Sequence, residues 1–469
     1  MPDPYVSPFT WRYGSEAMRE IWSERTKRRW WRRIWVALAR VQSRFGAVTE
    51  AQAADLATHQ AEVDLARSLE IEAEIHHDLM AEVRAYAEQC PIGGGIIHAG
   101  ATSMDVKDNA TILQMQRALD LNLAQLSELL SAFAAQIRRW ADTPCMGFTH
   151  LQPAEPTTLG YRLAGYAQDL LEDHRALLRL REELRGKGFK GAVGTSASYA
   201  MLLPDEVTPA AFERAVMDEL GLRTWPVANQ TYPRRQDWAV LSTLAGLGSA
   251  AYRFALDLRL LQNPAIGEWS EPFGSRQVGS SAMPFKRNPI RAEKIDSLAR
   301  YLAQLPRVAW DNAAHSALER TLDDSANQRV ILPDAFLAAD EILRGMIRLV
   351  SDLRVNEHAV QRTLDTYGPF AAIEPLLMRL VQAGADRQAM HEALREIAMQ
   401  AWAKIEAGEE NPLPELLAAA PEITAHLTPE QIHAALDARA YVGDAPQRAR
   451  TLAAHIQSHL SERPTTNKC

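Results

Sequence analysis

A run of hydroxyl, cationic and amide side chains between prolines is the part of this sequence best equipped for chemistry. Residues 280–289 read Ser-Ser-Ala-Met-Pro-Phe-Lys-Arg-Asn-Pro, and Gly279 precedes them. The hydroxyls and the amide can exchange hydrogen bonds with a carboxylate, and the cations add charge. Gly279 frees the backbone, and Pro289 is placed to open a helix from Ile290. The pattern predicts a mobile loop that brings Lys286 and hydroxyls to a helix N-terminus, which favours anions. A polar surface loop is the alternative.

A histidine in a short connection between two long helical segments is the first candidate for proton transfer. His150 lies in the sequence Thr149-His-Leu-Gln152, which continues into Pro-Ala. Histidine exchanges protons near neutral pH more readily than any other side chain. The residues alone leave a structural histidine as the alternative.

A second histidine group, His76-His77-Asp78, falls in a predicted helical segment. Two histidines and an aspartate resemble a set of metal ligands. Adjacent residues on a helix point about 100° apart, so His76 and His77 cannot easily share one ion. We therefore expect no metal at this position.

Hydroxyl and carboxylate side chains precede the longest predicted helix. Thr102 and Ser103 follow the sequence His98-Ala-Gly-Ala, and Asp105 comes two residues later. Ser103 or Asp105 is expected to cap the helix. The same donors can hold an anion, so both roles are compatible.

The segment 318–329 is dense in polar groups between two helical stretches, reading Leu-Glu-Arg-Thr-Leu-Asp-Asp-Ser-Ala-Asn-Gln-Arg. One interpretation is a capped helix start with solvent-exposed salt bridges. The other is an anion site, because the planar donor fork of Arg320 or Arg329 suits phosphate.

Long helices must position these segments. Residues 108–143 contain neither Gly nor Pro, and their apolar residues recur at steps of three and four, giving one apolar helix face. Further helices are predicted over 157–184, 235–261, 290–305 and 323–353. Such lengths favour an elongated bundle whose apolar faces associate with other subunits.

Bulk composition restricts the class of protein. A chain of 469 residues predicts two or three domains, and a net charge of −8 argues against nucleic acid as a partner. Three dispersed cysteines (Cys90, Cys145 and Cys469) predict no disulfide framework and a reducing, cytoplasmic location. No signal pattern opens the chain, and no apolar run is long enough to span a bilayer. The basic and aromatic segment 28–33 is interpreted as an ordinary helix face rather than a membrane or RNA patch.

The sequence Gly-Lys-Gly-Phe-Lys-Gly at 186–191 formally matches a dinucleotide-binding pattern. It follows a predicted helix rather than a strand, so we do not expect a dinucleotide site.

Residues 279–289 fill every fixed position of Gly-Ser-Ser-x-Met-Pro-x-Lys-x-Asn-Pro, and so resemble the signature loop of the fumarase/aspartase superfamily. The similarity extends from about residue 11 to about residue 400. It implies an all-α fold with an N-terminal domain (1–102), a central long-helix domain (103–355) and a C-terminal domain (356–469). It also implies a homotetramer with a twenty-helix core, in which loops from three subunits complete each active site.

The resemblance further implies the roles of individual residues. Ser280 is the general base, His150 the general acid, His77 its support, and Lys286 the stabiliser of developing charge. The substrate-binding residues are Arg12, Tyr13, His76, Asp78, Thr102, Ser103, Thr149, Gln152, Gln230, Ser281, Met283, Asn288, Arg320, Ser325 and Arg329. The chain departs from the family pattern at four positions: His76 and Lys294 replace arginine, Glu155 replaces glutamine and Tyr161 replaces lysine.

Arg12-Tyr13 and residues 320–329 resemble the residues that contact a nucleotide phosphate in one branch of the superfamily. That branch cleaves adenylosuccinate. That branch implies β-elimination of fumarate, giving AMP, and the same reaction on the succinyl-carboxamide ribotide of purine synthesis (SAICAR to AICAR). Neither a metal nor an organic cofactor is implied. The alternatives are a sister lyase acting on another succinyl-amine, such as argininosuccinate, and a non-catalytic scaffold of the kind found among crystallins.

Overall fold

The computed structural model describes residues 5–274 and 276–462, and these are predominantly helical. The predicted all-α class is confirmed. In chain order the α-helices are α1 (Glu16–Ile21), α2 (Glu24–Arg44), α3 (Glu50–His59), α4 (Leu65–Ile75), α5 (Asp78–Gln89), α6 (Ser103–Arg139), α7 (Leu159–Glu183), α8 (Ala197–Leu202), α9 (Pro209–Leu220), α10 (Arg235–Leu261), α11 (Ile290–Leu302), α12 (Leu305–Ala314), α13 (Asp323–Ser351), α14 (Glu357–Ala371), α15 (Ile373–Gln382), α16 (Arg387–Glu406), α17 (Leu413–Ala419), α18 (Pro421–Thr424), α19 (Pro429–Ala435) and α20 (Ala445–Ser461). Short 3₁₀ turns occupy Pro8–Thr10, Gly94–Ile96 and Ala438–Tyr441.

The longest helix, α6, follows the predicted apolar periodicity closely. Its 37 residues extend roughly 55 Å. Its apolar stripe is buried, with Ile112, Met115, Leu119, Leu126, Leu130, Phe133 and Ile137 each 0% exposed. Burial of this face against neighbouring elements, rather than helix propensity, supplies most of the helix's stability.

The structure adds a β-hairpin where the sequence predicted only a loop. Strands β1 (Pro144–Thr149) and β2 (Gln152–Thr158) pair antiparallel between α6 and α7, with an irregularity between Met146 and Phe148. That irregularity breaks the two-residue alternation by which strands are recognised. Prolines are tolerated because each strand of a two-stranded sheet has a free edge. Two further pairs join β3 (Arg185–Gly186) with β4 (Arg223–Thr224), and β5 (Trp269–Ser270) with β6 (Arg354–Val355).

The described chain divides into two compact units, each assembled from three stretches of sequence. Unit 1 comprises 1–126, 173–249 and 297–344, and unit 2 comprises 127–172, 250–296 and 345–469. Within unit 2, helices α15 to α19 enclose their own apolar cluster, which includes Leu376, Leu394 and Leu417. The three-domain division remains a prediction from the resemblance.

The basic and aromatic segment 28–33 lies in α2 and is partly a core element. Arg28 and Arg32 are 1% and 0% exposed, and both contact the buried carboxylate of Glu82. Arg29 and Arg33 face outward.

In the part of the chain that the structure describes, one helix, Arg235–Leu261, is long and apolar enough to cross a membrane by length and composition alone, which corrects the expectation that no apolar run would be long enough. Half of its most apolar window is buried within the protein. This is weak support for a membrane span, because core helices of soluble proteins pass the same test.

Candidate active site

A cavity of about 550 Å³ in unit 1 gathers polar residues from five separate segments of the sequence. Its lining includes His76, His77, Asp78, Thr102, Ser103, Gln230, Arg320, Ser325 and Arg329. Nine of the predicted site residues therefore share one cavity. Further lining residues that no motif singled out are Lys27, Trp31, Glu72, Met104, Lys107, Asp108 and Thr111.

The histidine pair sits at a break between two helices, not inside one as predicted. His76 ends α4 in the left-handed conformation (φ 52°), and His77 caps the start of α5. The Nδ1 atom of His77 accepts the Met80 backbone N–H at 3.2 Å. With Nδ1 as acceptor, a neutral His77 carries its proton on Nε2. Within the described residues, no group of three His, Cys, Asp or Glu side chains could hold a metal ion.

Asp78 holds two cations at the cavity wall. Its Oδ1 lies 2.5 Å from the Lys107 Nζ, and its Oδ2 accepts an Arg329 N–H at 2.9 Å. Burial alone raises the pKa of Asp78, but Lys107 and Arg329 outweigh burial and hold the pKa below its usual value. Asp78 therefore stays ionised and fixes both cations beside the cavity.

The N-terminus of α6 is set by Asp105, one of the two capping candidates. Asp105 accepts the Thr102 backbone N–H at 3.1 Å, which satisfies one free donor at the helix start. It is 0% exposed and pairs with the buried ammonium of Lys187. The Gly191 backbone and the Tyr199 hydroxyl also donate to it. The glycine-rich stretch 186–191 begins at the end of the two-residue strand β3, not directly after a helix as predicted, and its Gly191 supplies one of these donors to Asp105. Thr102 and Ser103 are left facing the cavity.

A buried ionic network lies behind Arg320. The Arg234 guanidinium contacts Asp108 at 3.0 Å and Asp324 at 2.7 Å, and all three side chains are at most 2% exposed. Asp324 also accepts the Arg320 Nη1 at 2.9 Å, so it positions that arginine at the cavity edge. The backbone N–H of Gln230 donates to the Glu319 carbonyl at 3.2 Å, which places Gln230 beside the same segment. No local pattern predicts the network, because Asp108 and Asp324 lie 216 positions apart in the sequence.

Arg12 and Tyr13 do not line this cavity within the chain. The Arg12 guanidinium stacks on the Trp11 and Tyr13 rings at 5.5 and 5.9 Å, and Tyr13 also meets Phe9. Their predicted contact with phosphate therefore stays a prediction.

His150 stands at the tip of the β1–β2 hairpin in unit 2, with Thr149 and Gln152 forming the last strand pair. His150 and Leu151 both have positive φ, at 54° and 61°. A two-residue hairpin turn of this geometry normally takes Asn-Gly, and other residues there are strained. All four tip residues are exposed. Strain at an exposed histidine is typical of a functional position.

Side-chain contacts hold the hairpin below its tip. The Arg162 guanidinium donates to the Met146 carbonyl at 2.5 Å and pairs with buried Glu268 at 3.0 Å. Phe148 packs on a small apolar cluster with Leu364. These contacts fix the strand ends from which His150 projects.

The signature loop in unit 2 is held by its own polar groups. The Ser280 Oγ accepts the Ala282 and Met283 N–H groups at 3.3 and 3.1 Å. The Asn288 amide donates to the Gly279 carbonyl at 3.1 Å and closes the base of the loop. Ser281, Met283 and Lys286 are exposed. Within this chain the loop presents the Ser281 hydroxyl and the Lys286 ammonium group outward, and the predicted delivery of these groups to an anion stays a prediction.

His98 is a buried titratable group near the α6 cap. Its Nδ1 accepts the Trp35 indole N–H at 3.2 Å, and its φ is 69°. Burial lowers the pKa of His98 to about 4, although Asp105 opposes the shift. His98 is therefore neutral near pH 7.

Acid should destabilise the fold through His98. The unfolded chain takes up this proton near pH 6.5, whereas the folded chain resists it until about pH 4. The stability that neutral His98 contributes is thus fully present above pH 6.5 and is lost as the pH drops towards 4. Asparagine tolerates positive φ and does not titrate. When the pH is lowered from 7 to 5, the unfolding free energy of His98→Asn, measured by urea denaturation, should therefore fall by about 2 kcal/mol less than that of the parent protein. Equal losses in both proteins would contradict this.

Comparison with known proteins identifies the family of this chain. A family model described as lyase matches residues 12–302, and one described as adenylosuccinate lyase C-terminus matches residues 369–452. The adenylosuccinate lyase of Saccharomyces cerevisiae is 38% identical over 457 residues, covering 95% of this chain and 93% of the relative. That of Pyrococcus horikoshii is 36% identical over 459 residues, covering 96% and 98%.

Solved structures share the fold. The 3-carboxy-cis,cis-muconate lactonizing enzyme of Pseudomonas putida superposes with a TM-score of 0.86 at 26% identity, covering 97% of this chain and 99% of that one. A fumarate lyase from Mesorhizobium sp. BNC1 gives 0.83 at 24% identity, covering 96% and 100%. The fold is that of the fumarase/aspartase superfamily, and from the sequence relatives and both family models the chain belongs to the adenylosuccinate lyase family of carbon–nitrogen lyases.

Proposed function

We propose that the protein eliminates fumarate from adenylosuccinate, giving AMP, and from SAICAR, giving AICAR. The observation that carries the proposal is the unit 1 cavity, in which Arg320, Ser325 and Arg329 meet Thr102 and Ser103. One end thus offers guanidinium groups to a phosphate, and the other offers hydroxyls at a helix N-terminus to a carboxylate. A succinyl nucleotide carries both kinds of anion.

The chemistry is assigned to the hairpin tip and the signature loop of unit 2. Ser280 removes the proton from the carbon beside a carboxylate, and the charge spreads onto that carboxylate. Lys286 and Asn288 stabilise this charge once the loop closes and excludes water. The C–N bond then breaks while His150 protonates the leaving nitrogen, with His77 in support. Loops from three subunits of a cytoplasmic homotetramer complete each site in this proposal, and no metal takes part.

Activity on two succinyl-amine substrates distinguishes the proposed function from that of a sister lyase. Purified protein should convert adenylosuccinate to AMP and fumarate in an ultraviolet assay, and should leave argininosuccinate unchanged. Turnover of argininosuccinate alone would favour a sister lyase. Turnover of neither by folded protein would favour a non-catalytic scaffold.

The phosphate role of Arg320 gives a sharper test. Arg320→Ala should raise KM for adenylosuccinate with a smaller effect on kcat, because a phosphate contact acts in ground and transition states alike. The variant should be nearly as active as the parent on succinyladenosine, which lacks the phosphate. Equal losses on both substrates would show that Arg320 acts elsewhere.

A further inference from the structure

A second cavity, of about 600 Å³ in unit 2, is lined by four arginines that the proposed reaction does not use. They are Arg139, Arg291, Arg348 and Arg354, and Asp352 is the single carboxylate among the lining residues. Apolar surface comes from Pro272, Phe273 and Leu353. A net charge of three positive units around one small space contrasts with the net charge of −8 on the chain.

Internal contacts leave much of this charge unpaired. Among the described residues, Arg139 and Arg348 have no carboxylate partner, and Arg139 stacks on Trp140 at 4.7 Å. Arg291 and Arg354 donate to the backbone carbonyls of Pro272 and Phe273 at 2.6 and 3.3 Å. Each guanidinium has five donors, so most remain open to a ligand.

Helix electrostatics explain two of the four arginines. Arg139 and Arg348 lie in the last turns of α6 and α13, where positive charge is favourable. Arg291 lies in the first turn of α11, where positive charge is unfavourable, and Arg354 lies in β6. The buried Glu271 carboxylate near Arg291 accepts the Ala292 N–H at 2.6 Å and does not line the cavity. Arg139, Arg348 and Arg354 are exposed, so their charges are accessible to an anionic ligand.

We propose that this arginine cavity binds a small phosphate-rich anion, either an inorganic pyrophosphate or the phosphate chain of a nucleotide. Planar guanidinium groups bind phosphate oxygens in pairs, and four of them around one space suit more than one phosphate. The ligand would sit against Pro272 and Phe273, which precede the signature loop, so binding stabilises the base of that loop.

Calorimetric titration at constant ionic strength tests the proposal with pyrophosphate, ATP and adenosine as probes. Pyrophosphate and ATP should bind, and adenosine should not. Arg348→Glu and Arg139→Glu should each weaken pyrophosphate binding roughly tenfold or more, the loss expected for a direct charged contact. The matched control Arg214→Glu reverses an exposed arginine on α9 and should change affinity less than twofold.

Activity and assembly measurements separate this cavity from the candidate active site. Arg348→Glu should leave KM for adenylosuccinate unchanged, whereas Arg320→Ala should retain pyrophosphate binding. Loss of all pyrophosphate binding in Arg320→Ala would assign the ligand to the candidate active site and overturn the proposal. Equal losses of pyrophosphate affinity in Arg348→Glu and Arg214→Glu would show that the anion is attracted non-specifically, and would overturn the proposal. Dissociation of the oligomer by Arg348→Glu, without pyrophosphate binding to the parent, would assign the cavity to an acidic segment of a second copy.

Discussion

Replacing Ser280 by alanine is expected to lower the turnover of adenylosuccinate roughly 10²- to 10⁴-fold without unfolding the protein, because the group that takes the substrate proton is lost. The substitution also removes the acceptor for the Ala282 and Met283 N–H groups. A loss of activity by itself would therefore mix chemistry with loop geometry. Steady-state kinetics should show the loss mainly in kcat.

Ser280→Asn separates the two effects. Its side-chain oxygen can accept the same N–H groups as an Asx turn, but an amide is no base. We expect Ser280→Asn to be as inactive as Ser280→Ala. Substantial recovery of turnover would show that Ser280 shapes the loop rather than removing a proton.

The same argument applies to the proposed acid. His150→Asn should lose turnover on the same scale while keeping the positive φ of the hairpin tip, which asparagine tolerates. The neighbouring Leu151→Asn places the same residue at the same kind of position without removing an acid, and should stay active. If both variants lose activity equally, hairpin geometry and not proton transfer is responsible.

Replacing Arg234 by methionine is expected to cost about 3–5 kcal/mol of unfolding free energy, the range found when one member of a buried ion pair is removed. Asp108 and Asp324 would remain buried at 1% exposure each, without their shared cation. Burial already raises the pKa of Asp108 against the opposing effect of Arg234, so loss of the guanidinium should raise it further. Urea denaturation measures the cost.

A matched variant one position away isolates the network. Arg235→Met removes an exposed guanidinium that stacks on Trp238 at 5.2 Å, and should change stability by less than about 0.5 kcal/mol. Because Asp324 also holds Arg320, Arg234→Met should in addition raise KM for adenylosuccinate. Unchanged stability in Arg234→Met would mean that the two carboxylates are protonated or hydrated in solution.

The sequence alone determined the helical class, the family and the segments that carry polar chemistry. Apolar periodicity is a local property, so α10 matches its predicted bounds of 235–261 and α6 differs from its prediction by only a few residues at each end. The signature loop likewise follows from a contiguous motif. The sequence predicts helix ends less accurately than helix interiors. The break at His76, for example, depends on one left-handed residue that no periodicity reveals.

Tertiary structure decided which distant residues meet. Lys107 carries no motif, yet it lies in the cavity because α6 places it one turn after Ser103 and Asp78 holds its ammonium group. Asp105 is buried by a glycine-rich stretch more than eighty residues later, and four arginines converge from three separate stretches of unit 2. Such contacts arise from packing between elements, where burial and opposite charge select partners irrespective of their separation along the chain.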